Sequence, residues 1–269
     1  MYEIELLKNT LLNAKKSFEE VKNKLEYKEK IVKGYGGDIS RYFDLYVENA
    51  IIENLKGHVS KIITEERGII EINKGEILAL VDPVDGSTNV SKDLPFCATS
   101  IALFKGEKFT DIFVSGIIDL IRGDVFICDG KNVFLNNSKV KPSTTVDLNE
   151  AVISMDLKVT KIDDKTSKVI PQILKEVRYI RFFGAIALEI AYVSCGILDA
   201  FIIPFPRVRL LDIAAGLFMV KTAGGFIKFL NEDMEKINIF ENKRYAVVAS
   251  NNEYLANKII KIIEDGGRI

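Results

Sequence analysis

The sequence predicts a mixed fold, α+β in its first half and α/β in its second. Three observations predict it. Segments 2–27 and 41–57 repeat apolar residues at spacings of three and four, the helical period. Between them and residue 140 the chain consists mostly of short β-patterned runs. Beyond residue 140 strand-like and helix-like segments alternate, the pattern of an α/β layer. With 269 residues and 48% hydrophobic content, the chain can bury a large core in one or two fused domains.

Taken in order, Ile4, Leu7, Leu11, Ala14 and Phe18 make the first segment an amphipathic helix and not a signal peptide. "KGYGGDIS", residues 33–40, has three glycines within four positions. It reads as a plain connection or as a loop that closes on a ligand. "VSKIITEE" is a short strand ending in Glu65 and Glu66, and "EILALV" is a buried strand. "TSIALFKG", "FTDIFVSGIIDL" and "DVFICDG" extend the β pattern. "KNVFLNNSKVKP" reads as a polar hairpin and marks a domain edge, dividing 1–140 from 141–269. After it come strands in "AVISMDL", "YIRFF", "ILDAFII", "GGFIKFL" and "YAVVAS", with helices at 163–176, 185–195, 212–223 and 252–264.

Composition removes several classes of function. Formal net charge is −1, from 37 basic and 38 acidic residues, so no overall field draws the protein to nucleic acid or anionic lipid. No apolar run approaches the roughly 20 residues of a membrane span. Cys97, Cys128 and Cys195 are far apart and form no zinc spacing, which points to a reducing, cytoplasmic setting. His58 is the one histidine, so chemistry needing several histidines is out.

The chemistry concentrates in carboxylates. In "VDPVDGSTN", Asp82 and Asp85 stand where a buried strand runs out, a place that favours ligand binding. Pro83 fixes the backbone between them and Gly86 permits a tight turn. Ser87, Thr88 and Asn89 can then open a short helix whose N–H groups suit an anion. An isolated turn of this kind also fits a helix cap at Asp85 with a solvated Asp82. Taken alone, Asp212 before the apolar run "IAAGLFMV" likewise reads as a helix N-cap. Three acidic ends beside apolar runs nevertheless call for positive charge, and a hard divalent cation with oxygen ligands provides it. "DPVDGSTNVSKD" does not have EF-hand spacing, and no cysteine has the following arginine of a cysteine phosphatase.

The set "TEE", "VDPVDGSTN" and "LLDIAAGLFMVKTAGG" resembles the inositol monophosphatase superfamily, which includes fructose-1,6-bisphosphatases. "GGDISRYFDLYVENAII" and "RFFGAIALEIAYVSCGILDAF" extend the resemblance over nearly the whole chain. It implies a layered αβαβα sandwich and a Mg²⁺-dependent, lithium-sensitive sugar-phosphate phosphatase. Two or three Mg²⁺ per site are expected, with Mn²⁺ as a substitute, and a homodimer or higher oligomer. By the same resemblance, Glu65, Asp82, Asp85, the Val84 carbonyl and Asp212 hold metal, and Asp38 serves a weaker third ion. Asp44 and Ser87, with Glu66 nearby, orient and activate a water. Gly86 and Ser87 cradle the phosphate, and Gly184 and Ala185 border the substrate.

The sequence departs from the inositol-specific pattern at two positions. The glutamate expected seven residues before Asp212 is Phe205, and the usual tryptophan before it is Leu211. "PFPRVRL" instead supplies Arg207 and Arg209, whose planar forks suit a second phosphate, with surface salt bridges as the plainer reading. Arg181 is a further candidate for the pocket. The resemblance is therefore to the dual-specificity branch, acting on fructose 1,6-bisphosphate and inositol 1-phosphate. A strict inositol-1-monophosphatase, a phosphoadenosine-phosphate phosphatase and an inactive binding module are the alternatives.

Overall fold

Alternation along each strand sorts the side chains into layers. In the computed structural model, Ala79 and Val81 of one strand face one core, while Leu78 and Leu80 face another. The structure describes residues 2–24, 27–33, 39–73, 75–157 and 164–268. The Gly-rich segment 34–38, Asp38 included, lies outside the described residues.

Strands β1 (Lys30–Lys33) and β2 (Ile39–Arg41) pair antiparallel as a separate ribbon. The large sheet contains β3 (Lys61–Thr64), β4 (Gly68–Glu71), β5 (Leu78–Asp85), β6 (Ala98–Phe104) and β7 (Ile112–Asp119). β8 (Val125–Cys128), β9 (Val133–Leu135) and β10 (Ser138–Lys139) complete it, in the order β10-β9-β8-β7-β6-β5-β3-β4. Its pairs are antiparallel except β3 with β5. The second sheet holds β11 (Val152–Met155), β12 (Tyr179–Arg181), β13 (Ala200–Val208), β14 (Phe226–Phe229) and β15 (Tyr245–Ser250), ordered β12-β11-β13-β15-β14. It is mixed: β11 is parallel to β12 and β13, whereas β15 runs antiparallel to β13 and β14. The α/β layer read from strand–helix alternation is present, with β15 reversed within it.

Helices α1 (Tyr2–Lys22) and α2 (Tyr42–Leu55) cover one face of the large sheet, burying Leu7, Leu11, Ala14 and Phe18 against Ile101 and Ile118. A short helix α3 (Ser87–Ser91) follows β5. α4 (Asp164–Glu176) and α7 (Glu253–Arg268) cover the far face of the second sheet. α5 (Ile186–Ser194) and α6 (Leu210–Ala223) lie between the sheets and share one core with both. Being covered on both sides, α5 is buried from Ala187 to Ser194. A Cβ on Gly216 of α6 would sit 2.8 Å from the Ile190 Cβ of α5, so only glycine permits this close helix packing. The layers run αβαβα, as expected. Among the described residues no helix is long and apolar enough to cross a membrane.

Helix limits differ from expectation at three informative places. α1 ends at Lys22, short of residue 27. Gly86, not Asp85, caps α3, because Asp85 still belongs to β5. α6 begins at Leu210, so Asp212 is not its cap but its third residue, accepting the Arg209 N–H at 2.8 Å.

Candidate active site

A cleft of about 1030 Å³ opens where β3, β5 and the start of α6 end together. Parallel pairing of β3 and β5 brings Thr64 level with Val81, so the chain leaves both strands on one edge. Glu65 and Glu66 follow β3, while Asp82 and Asp85 finish β5. α6 delivers Asp212 from 130 residues further along the chain than Asp82. One carboxylate oxygen each from Glu65, Asp82 and Asp212 lies within 4.8 Å of the others. Asp85 stands outside this trio, and its Oδ2 accepts the Ala187 N–H at 2.6 Å.

The environment disfavours bare charge. Burial, then Glu65, Asp85 and Asp212, push the Asp82 pKa far above the usual carboxylate range. Burial and Asp212 do the same for Asp85. Asp82 Oδ1 is buried without a hydrogen-bond partner among the described residues. An orphaned oxygen beside two further carboxylates is a hard-donor set, and it fits a divalent cation. Val84 contributes its carbonyl to the same turn, 2.8 Å from the Ser87 hydroxyl oxygen, whose one proton it shares with Asp44.

Asp44 enters from the first turn of α2. That helix is held to β3 by Thr64, whose hydroxyl donates to Glu48 at 2.8 Å. Asp44 Oδ2 accepts the Arg41 N–H at 2.9 Å, and Oδ1 accepts the Ser87 hydroxyl at 2.8 Å. Burial and the nearby Glu66 push its pKa well up. Glu66 is pushed up to about 7 by burial, against the Ser40 hydroxyl that donates to it. Asp44, Glu66 and Ser87 therefore face one cleft together, although 43 residues separate Asp44 from Ser87.

Gly86 turns the chain with φ of +89°, and an added Cβ would meet the Phe96 and Gly184 carbonyls at 3.0 and 3.2 Å. The wall it touches, residues 182–186, is tied down from several sides. Asn89 Nδ2 donates to the Phe183 carbonyl at 2.6 Å, and Phe183 stacks on Phe96 at 4.7 Å. Glu189 Oε1 accepts the Gly184 and Ala185 N–H groups at 3.0 and 3.2 Å. Gly184 lines the cleft, but these two N–H groups are already engaged, and Ala185 is fully buried.

The arginines separate. Arg207 lines the cleft, joined by Arg244, whose Nη1 donates to the Arg207 carbonyl at 3.4 Å. Arg209 does not present a fork for a second phosphate. Its Nη2 donates to Glu65 and, at 3.2 Å, to Asp212 Oδ1. Burial opposes its charge, yet Asp212 and Glu65 hold its pKa above the ordinary guanidinium value. Arg181 is not among the cleft-lining residues: it is exposed at the edge strand β12, donates to the Ile180 carbonyl and lies over the Tyr179 ring. Sequence reasoning missed Glu189, Arg41 and Arg244, and for Asn89 it foresaw a helix start but not the side-chain tie to Phe183. Of the three missed residues only Glu189 carries a signal, as a lone acid in the apolar run "IALEIAYV".

Comparison with known proteins agrees with this geometry. A bifunctional NADP phosphatase/NAD kinase of Methanococcus maripaludis is 34% identical over 266 residues, covering 91% of this chain and 46% of the relative. The chain thus spans about half the length of that protein. A fructose-1,6-bisphosphatase of Pyrococcus furiosus is 32% identical over 238 residues, covering 85% of each. The crystal structure of an inositol monophosphatase-fructose 1,6-bisphosphatase superposes with a TM-score of 0.81 at 28% identity, covering 96% of this chain and 98% of the other. Residues 3–268 match the inositol monophosphatase family, and the chain belongs to that family.

Proposed function

We propose that the chain is a Mg²⁺-dependent sugar-phosphate phosphomonoesterase that hydrolyses fructose 1,6-bisphosphate and inositol 1-phosphate with water as the nucleophile. The observation that carries this is the convergence of Glu65, Asp82 and Asp212 within 4.8 Å beside the Asp44–Ser87 pair. When bound there, the metal supplies Lewis acidity and neutralises charge on the phosphoryl oxygens. Gly86 and Ser87 orient the phosphate. Asp44 accepts the Ser87 hydroxyl proton in a hydrogen bond and so fixes the oxygen that faces the attacking water. Glu66, with its pKa near 7, is matched to taking that water's proton at neutral pH.

No cysteine or histidine competes as nucleophile. Burial raises the Cys97 thiol to about 12 and the Cys195 thiol to about 11, and none of the three cysteines lines the cleft. His58 is exposed and paired with Tyr2. Arg207 and Arg244 line the cleft, and their guanidinium groups would hold a second anionic group of the substrate. The relatives' names support phosphatase activity and the fructose bisphosphate reading.

A second substrate, a 2′-phosphorylated dinucleotide, is favoured by Phe182 on the cleft, which is 56% exposed and offers a ring face to a base. The test is phosphate release from fructose 1,6-bisphosphate, inositol 1-phosphate, NADP⁺ and phosphoadenosine phosphate, each with Mg²⁺ and with chelator. Mg²⁺-dependent release from the sugar phosphates is expected at the highest kcat/KM. A dominant NADP⁺ activity would select the second reading, and no release from any compound would leave a binding module.

A further inference from the structure

Arg209 reaches the three-carboxylate cluster from the residue that precedes α6. Its Nη2 donates to Glu65 and to Asp212 Oδ1, two of the three groups whose oxygens converge within 4.8 Å. The side chain is buried, and its Nε and Nη1 have no hydrogen-bond partner among the described residues. A guanidinium and a divalent ion cannot both take the same carboxylate lone pairs, and in a weakly screened interior their like charges repel strongly.

We propose that Arg209 competes with the divalent ion for Glu65 and Asp212, so that ion entry on that side requires the guanidinium to leave. This rests on the metal-site reading above. Arg209 also lines the cleft, so the released fork has an anionic destination in the substrate phosphate. Ion binding and phosphate binding are thereby coupled through one side chain, and Arg209 holds the affinity for the ion alone below what the carboxylates by themselves would give.

The test is Mg²⁺ titration without phosphate, by calorimetry and by melting temperature, on wild type, Arg209→Gln and Arg209→Lys. Arg209→Gln should bind Mg²⁺ about tenfold more tightly or better, because it removes a cation from the cluster. Arg209→Lys keeps the charge and should stay close to wild type. Unchanged or weaker Mg²⁺ binding by the glutamine variant overturns the competition. Should that variant not fold, wild type still decides the matter through its arginine Nε–Hε resonances during the titration. One of them should move with the midpoint of Mg²⁺ binding, and none moving at saturation overturns the proposal. Mg²⁺ binding to neither wild type nor the glutamine variant would remove the metal-site reading itself.

Discussion

Replacing Glu189 by Gln should stabilise the protein at pH 8. Glu189 lies in α5 between the two sheets and is fully buried. Burial is the largest influence and pushes its pKa to about 7 from the ordinary 4.5, against the hydrogen bonds that favour its charge. Oε1 accepts two backbone N–H groups, and a glutamine oxygen can accept both. Oε2 and the Ser154 hydroxyl are both buried and interact, the hydroxyl favouring the charged carboxylate, yet neither makes a well-formed hydrogen bond among the described residues, so an amide there has the Ser154 oxygen as its acceptor. A carboxyl whose folded pKa is raised contributes stability below its unfolded pKa and loses it as pH rises through the folded one. The window is thus pH 4.5 to about 7. At about 1.4 kcal/mol per pH unit, the accumulated loss above the window is about 3 kcal/mol. For a chain of this length that is about 5 °C in Tm, taking about 2.1 cal/mol/K of unfolding entropy per residue. Thermal melts of wild type and Glu189→Gln at pH 4.5 and pH 8 measure it. The variant should gain at pH 8 and nearly match wild type at pH 4.5. An equal gain at both values, or a loss at pH 8, would refute the burial reasoning.

Three further outcomes are expected. Asp85→Asn keeps an oxygen for the Ala187 N–H and relieves repulsion with Asp212, so its metal-free Tm should not fall. Mg²⁺-dependent turnover should disappear, and near-normal activity would take Asp85 out of the mechanism. Ser87→Ala removes the hydroxyl that bridges Asp44 and Val84. It should lower kcat by roughly 10²- to 10⁴-fold, and a kcat within threefold of wild type, an order-of-magnitude margin, would contradict the role given to the pair. Arg207→Ala should raise KM for fructose 1,6-bisphosphate by about tenfold or more, the worth of a charge-assisted hydrogen bond, and affect inositol 1-phosphate far less. Equal loss for both substrates would assign Arg207 to structure.

Local chemistry made much of this protein legible from its sequence. Apolar spacing of three and four located α1 and α2, and β-patterned runs located β5 to β8, because those patterns report which face of an element is buried, while the alternation of strand-like and helix-like runs located α4 to α7. The turn "DPVDGSTN" was readable for the same reason: proline, glycine and small polar residues constrain backbone within a few positions. Where sequence reading failed, distant contacts decide. β4 and the antiparallel run of β15 depend on which strand lies alongside. Arg207 and Arg209 are two residues apart and chemically alike, yet one lines the cleft wall and the other is bound among carboxylates. Nothing local distinguishes them, since the difference is made by Glu65, which lies 144 residues away from Arg209. The sequence by itself determined the acids, the turn that presents two of them and the apolar faces that stack the layers. Only the tertiary structure decided which acids share an ion's reach, which N–H groups are consumed by Glu189 and which arginine is bound among the carboxylates. Those depend on sub-nanometre distances between segments far apart in the chain, which no short-range pattern encodes.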